Sequence, residues 1–239
     1  MFDLFSRVRF RKNSGLRNIK GDNNLIQNNG SDLSQVTFNI EGEHNTIIIH
    51  QNVKFNQVSF NIYGSHNRVI IGKDCQFNGP SEIWNQDDNC LVSIGAQSTF
   101  EGVLLSATES GSRLIIGKDC MFSYDVDVRT GDSHAIISTE DGHRINFAKD
   151  IVFGEHVWVA SHCVFLKGTV IPDGCVVGNS TLVNKAFSKQ NTILAGHPAE
   201  VIKEKILWHR ERNLQGKPRV KPAPRPLTSN VKEITAKSA

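Results

Sequence analysis

Over residues 153–183 an apolar side chain returns at every sixth position: Phe153, Val159, Phe165, Ile171, Val177 and Val183. An α-helix repeats near 3.6 residues and a strand every 2, so neither element alone carries this stride. With 38% apolar residues, six hits in one phase would arise by chance about three times in a thousand, and a fixed internal period marks a repeat architecture. A second column follows four residues behind the first five marks: Val157, Cys163, Thr169, Cys175 and Thr181. One column demands bulk and the other compactness. The pattern predicts a triangular coil of three short flat faces, roughly 18 residues per turn, as in a hexapeptide-repeat parallel β-helix. Bulky residues fill its centre, and small ones sit near corners where a larger group would meet the next coil.

Upstream the stride lengthens. Ile49, Ile71, Ile94 and Ile116 recur at intervals of 22, 23 and 22, the last two intervals ending in Ile94-Gly95-Ala96-Gln97-Ser98 and Ile116-Gly117-Lys118-Asp119-Cys120. Still earlier, Ile19-Lys20-Gly21-Asp22-Asn23, Ile40-Glu41-Gly42-Glu43-His44-Asn45 and Ile62-Tyr63-Gly64-Ser65-His66-Asn67 repeat at 21 and 22. Asn and Gly at these points suit left-handed backbone turns. The organisation read from this is an N-terminal basic segment over 1–16, an all-β solenoid over 17–186, a C-terminal loop and capping helix over 187–213, and a flexible Pro/Lys/Arg tail over 214–239. The capping helix rests on Val201, Ile202, Lys205, Ile206, Trp208 and His209 after Pro198. A stack needs its open end covered, because a bare last coil exposes unpaired strand edges.

The formal charge of +3 is unevenly placed. Arg7, Arg9, Arg11 and Lys12 stand near the start, and Lys217, Arg219, Lys221 and Arg225 near the end. No nucleic acid is expected as a partner. There is no apolar run of 18 residues and no secretory signal, so a cytoplasmic location is expected, with Phe2, Leu4 and Phe5 beside the arginines offering a peripheral membrane contact. Cys75, Cys120, Cys163 and Cys175 occupy the small corner position, where a thiol behaves as a small hydrophobe. No Cys/His spacing suggests zinc, and no metal is expected. Cys90 fits no column.

Between the coil near Ile116 and the regular coils from Ile151 the repeat breaks. Here lies Val126-Asp127-Val128-Arg129-Thr130-Gly131-Asp132-Ser133-His134-Ala135-Ile136-Ile137, followed by a polar excursion to Asn146. A projecting loop makes a site, and His134 is its candidate general base, since imidazole titrates near neutrality. Asp132 is too near in sequence to be assumed its partner. Trp158 directly precedes the inward Val159 in a strand-like alternation, which points it outward.

Residues 116–203 resemble the hexapeptide-repeat acyltransferases. Gly131-Asp132-Ser133-His134-Ala135-Ile136, Arg144-Ile145-Asn146 and Gly154-Glu155-His156-Val157-Trp158-Val159 are similar to bacterial capsule and polysialic acid O-acetyltransferases. The resemblance implies a left-handed β-helix, a homotrimer, and acetyl-CoA in the groove between adjacent subunits, with His134 as base and Trp158 in the same site. It also implies Ser161 at the thioester arm, Asn179, Asn184 and Lys185 along the pantetheine, and Lys203 near the coenzyme phosphates. Two positions depart from the family pattern: Asn184 stands where Thr is common, and Glu200 where a basic residue is usual. Arg129 and Arg144 flank the loop, where either can pair with an acidic sugar such as a sialic acid.

The implied reaction is acetyl transfer to a polysaccharide or sugar hydroxyl. His134 takes the hydroxyl proton as the oxygen attacks the thioester, and a groove N–H or the Trp158 indole meets the developing oxyanion. Three alternatives stand beside it: an N-acetyltransferase of an amino-sugar nucleotide, a metal site made from His134, His156 and His162, and a noncatalytic solenoid that binds glycan through its Asn-rich first half.

Overall fold

A computed structural model describes residues 16–212. The basic opening segment, with the residues expected to touch a membrane surface, and the Pro-rich tail lie outside the described residues. Among the described residues, twenty-three strands wind into three sheets. The first has eight strands, from Arg17–Lys20 to Leu182–Val183. The second has seven, from Leu25–Asn28 to Val170–Ile171. The third has eight, from Lys54–Phe55 to the pair Ile193–Gly196 and Ala199–Lys203. As far as Ile193–Gly196, successive strands of the chain fall on different sheets, and each pairs in parallel with strands of the neighbouring coils. The result is a left-handed parallel β-helix of about eight coils.

The six-residue stride maps onto this triangle directly. Phe153, Val159, Phe165, Ile171, Val177 and Val183 fall on the second, third, first, second, third and first sheets, each at most 1% exposed. Val157, Cys163, Thr169, Cys175 and Thr181 are buried at the corners. The residue before each, His156, His162, Gly168, Gly174 or Ser180, turns the corner at positive φ. Burial pushes the Cys120 thiol up to about 12 and that of Cys75 up to about 11, so these cysteines are packing groups without thiolate chemistry.

In the longer coils the interior is a ladder. Phe55, Phe77, Phe100 and Phe122 stack with ring centroids 5.5, 4.7 and 5.1 Å apart. Such contacts add about 0.5–1.5 kcal/mol per pair beyond area burial. At the turns, Asn45 donates from Nδ2 to Asn24 Oδ1 (3.0 Å), and Asn45 Oδ1 accepts the Asn67 N–H (2.9 Å). Asn67 Oδ1 in turn accepts the Cys90 N–H (2.8 Å). Cys90 therefore tops the asparagine ladder, with its sulfur 3.7 Å from the Ser112 hydroxyl. Gly42 is held at φ +128°, and a Cβ there would lie 2.0 Å from the Gly64 carbonyl oxygen, so no side chain fits.

The C-terminal end corrects the expected capping helix. Residues Ala199–Lys203 form a strand antiparallel to Ile193–Gly196, and no residue from 199 to 212 is helical. The last coil presents a row of unpaired backbone groups, and a hairpin turning at Gly196-His197-Pro198 pairs with them. A short isolated helix has no comparable partner and is marginal on its own. Beyond the hairpin the chain descends the corner between the second and third sheets. Ile206 N–H donates to Asn191 O (3.0 Å), the Trp208 indole to His156 O (2.9 Å), and Arg210 to Asp119 Oδ1 (2.9 Å), Cys120 O (2.9 Å) and Thr99 Oγ1 (2.9 Å).

Candidate functional site

The chain leaves the first sheet after Arg129 and rejoins the second at Ile151, so the loop emerges at the corner between them. Register partners on the first sheet lie 21 to 23 residues apart as far as Val128, 37 apart across the loop (Val128 to Phe165), and 18 apart beyond it. The interruption sits where the long coils give way to the short ones.

Asn146, 5% exposed, ties the loop's two arms together. Its Nδ2 donates to Asp132 Oδ2 (2.9 Å) and His134 O (2.8 Å), and its Oδ1 accepts from the Ile136 N–H (2.7 Å) and Arg144 Nε (3.1 Å). Lys167, one coil above, donates to Asp132 Oδ2 and to Asn146 O. That ammonium, helped by Asn146, holds the Asp132 carboxyl below its ordinary range. Arg144 is anchored on Glu109 Oε1 (2.5 Å). On this platform His134 is exposed. Its backbone N–H donates to Asp132 O (2.7 Å), and its ring makes no hydrogen bond among the described residues.

The remaining expected site residues lie elsewhere. Trp158 is on the third sheet between Met121 and Val176, outward and 37% exposed. Ser161 sits at the corner between the third and first sheets and accepts a hydrogen bond from Nδ2 of Asn179, one coil above (2.6 Å). Asn184 and Lys185 leave the first sheet at the same corner as the loop, higher in the stack, and Lys185 pairs with Glu200 (2.5 Å). Lys203 is exposed on the hairpin. Arg129 Nε is held by the Asp127 carboxylate at 2.8 and 2.9 Å. One chain thus brings Ser161 and Asn179 together beside the face of Trp158. His134 stands at the corner across the triangle from that face.

No family model matches the chain. It is 33% identical over 193 residues to the polysialic acid O-acetyltransferase of Neisseria meningitidis, an alignment spanning 80% of this chain and 88% of that enzyme. The chain belongs to this O-acetyltransferase family. Like its other members, it is an acyltransferase. A shorter stretch of 86 residues is 34% identical to the polysialic acid O-acetyltransferase of Escherichia coli O1:K1, covering 36% of this chain and 28% of that one. Among solved structures, the polySia-specific acetyltransferase NeuO superposes with a TM-score of 0.73 at 26% identity, over 86% of this chain and 93% of NeuO. The polysialic acid O-acetyltransferase OatWY superposes at 0.70 and 27%, over 84% and 95%.

In this acyltransferase the three histidines of the metal alternative occupy three different corners. His156 Nδ1 lies 2.7 Å from Asp119 Oδ2, and His162 Nδ1 lies 2.6 Å from Asp125 Oδ2. The chain does not assemble them, and no group of three or more metal-ligating side chains occurs among the described residues. Sequence reasoning missed the cluster around His156. Trp208 stacks on that imidazole at 3.9 Å, and its carbonyl lies 3.1 Å from His156 Nε2. Trp208 also stands 5.9 Å from Trp158, which makes the descending segment one wall beside it. Burial alone would raise the Asp119 carboxyl, but hydrogen bonds from His156 and Arg210 outweigh it and leave the group below its ordinary range. The roles of Asn146 and Lys167 were missed as well. Asn146 stood in the quoted motif without an assignment, and Lys167 meets the loop only through coil stacking.

Proposed function

We propose that this acyltransferase moves the acetyl group of acetyl-CoA to a hydroxyl of a surface polysaccharide, with His134 as general base, in a groove walled by two copies of a homotrimer. The observation that carries the reading is the unpartnered imidazole. His134 stands exposed on a loop whose root is clamped by Asn146, Asp132 and Lys167. A base with a free ring nitrogen on a fixed mount can take a proton without first breaking another bond. Trp158, Ser161 and Asn179 line another face of the same chain, so a second copy must bring that face to the loop. Exposed Ile136, Ile137, Ile145 and Phe147 on the loop, each more than half exposed, supply an apolar surface for such a neighbour.

In the proposed step the acceptor oxygen attacks the thioester carbonyl and its proton passes to His134. The tetrahedral oxyanion is met by a fixed N–H donor, of which the outward Trp158 indole is the candidate, and the CoA thiolate leaves. Acetyl-CoA dependence also gives the location: an enzyme drawing on this thioester belongs in the cytoplasm. Arg129 and Arg144 are already engaged by Asp127 and Glu109. A role in reading a sugar carboxylate would require either arginine to share its charge.

The test is acetyl-CoA consumption measured over a panel of glycans and amino-sugar nucleotides. His134→Ala is expected to lose about a hundredfold or more in turnover, the usual worth of a general base. A folded His134→Ala protein that keeps its turnover refutes the assignment, and acetylation confined to the amino sugars selects the N-acetyltransferase alternative.

A further inference from the structure

We propose that the outward surface of the first sheet, from Tyr63 and Trp84 up to Arg129, is a docking track that carries an uncharged glycan chain to the loop of His134. The inference rests on the glycan acceptor proposed above and adds to it a distal binding surface and a charge class.

Side chains on this sheet alternate in and out. Ile83 and Asn85 are buried, so Trp84 between them faces outward, and Tyr63 follows the buried Ile62 in the coil below. The two rings meet at 5.2 Å and 48°, and neither is buried. They are the two aromatic side chains at outward positions of this sheet among the described residues. The indole N–H of Trp84 reaches Gln86 Oε1 (3.3 Å), which leaves a half-open aromatic surface edged by amides. Flat apolar faces beside amide donors and acceptors suit a pyranose, whose ring faces are apolar C–H and whose rim is hydroxyl.

A groove of about 580 Å³ runs alongside, with Ser59, Glu82, Leu104 and Asp127 at successive outward positions along its floor. Its size falls within the usual range for organic ligands. The track leads to the site by register: Trp84 pairs with Ser106, and Ser106 with Arg129, directly before the loop. At about 4.8 Å per coil, Trp84 lies about 10 Å from the loop's root, the span of a short oligosaccharide.

Charge decides which glycan fits. Between Val58 and Arg129 the single cation at an outward position of this sheet is Arg129, and Asp127 already holds it. Glu82 has no ion-pair partner among the described residues, and Asp125 at the groove's edge faces His162. A polyanion laid here would meet the unbalanced Glu82 carboxylate and no free cation, whereas a neutral chain is not opposed.

The experiment measures retention of size-defined neutral polymers (dextran, mannan, galactan and chito-oligomers) and of polysialic acid by His134→Ala protein without acetyl-CoA. At least one neutral polymer is expected to be retained, about tenfold less by Trp84→Ala or Tyr63→Ala, with retention restored in Trp84→Phe. Polysialic acid is expected to bind only once Glu82→Lys is introduced. The proposal is overturned if no neutral polymer is retained, if Trp84→Ala binds like its parent, if polysialic acid is bound without Glu82→Lys, or if Trp84→Ala changes the subunit count by light scattering. The last result would mark the face as a contact between copies. Polymer retention with no turnover in the unaltered enzyme would spare this inference and remove the catalytic one. Turnover on short acceptors without polymer retention would do the reverse.

Discussion

Below the loop a coil uses 21 to 23 residues, with strands of up to six, four and two. Above it a coil uses 18, with two-residue strands on each face. The long coils hold themselves together by interior ladders, the phenylalanine stack and the asparagine chain that ends at Cys90. In the short coils the stack gives way to edge-on contacts, Phe122 with Phe153 at 5.1 Å and Phe153 with Phe165 at 4.8 Å, around bulky centres and small corners. Their outward positions carry Trp158, Asn179, Asn184 and Lys185, with Ser161 buried beneath Asn179. In the proposed reading, stability and catalytic chemistry are thus separated along one axis, and the loop of His134 projects where the two repeats meet.

Mutations on either side of that junction should break different properties. Asn146→Ala removes the group that ties both arms of the loop, and a displaced base costs roughly a hundredfold in turnover. The melting temperature of the solenoid should hardly move, and a large loss of stability with unchanged turnover would reverse the assignment. Asn67→Ala cuts the ladder beneath Cys90 and leaves a buried N–H unpaired, which is expected to cost about 1–3 kcal/mol in denaturant unfolding. Turnover of the folded fraction should be that of the parent. If turnover falls instead, the long coils contribute to catalysis more directly than their geometry shows.

The smallest effect is that of pH on the loop. The Asp132 carboxyl is held low by Lys167, so its contribution to loop order is complete above the ordinary aspartate value near 4 and is lost as pH falls through the depressed value. Amide exchange over residues 132–146 should therefore accelerate only in acid below about pH 4, and Asp132→Asn should abolish the dependence. Acceleration centred well above that range would show that a group other than Asp132 orders the loop.

Much of this division was legible in the sequence because a solenoid's core is periodic. The stride at 153–183 gave the triangle, the lengthened interval gave the larger coils, and the break gave the loop. What escaped depends on contacts between coils or between distant segments. Cys90 fits no column of thiols because it completes a column of asparagines. Residues 199–206 have apolar spacings compatible with a helix, and only the open edge of the last coil turns them into a hairpin. Trp208 lies 52 residues from its partner His156, a separation no local pattern encodes.

The central claim is that the base and the face bearing Trp158 meet only across copies. Mixing unfolded His134→Ala and Trp158→Ala proteins, refolding them together and assaying acetyl transfer tests it directly. With sites formed between neighbours, a random one-to-one mixture recovers about a quarter of the parent's sites, because each site draws its two residues from independent copies. A mixture no more active than the two inactive variants alone would contradict the account.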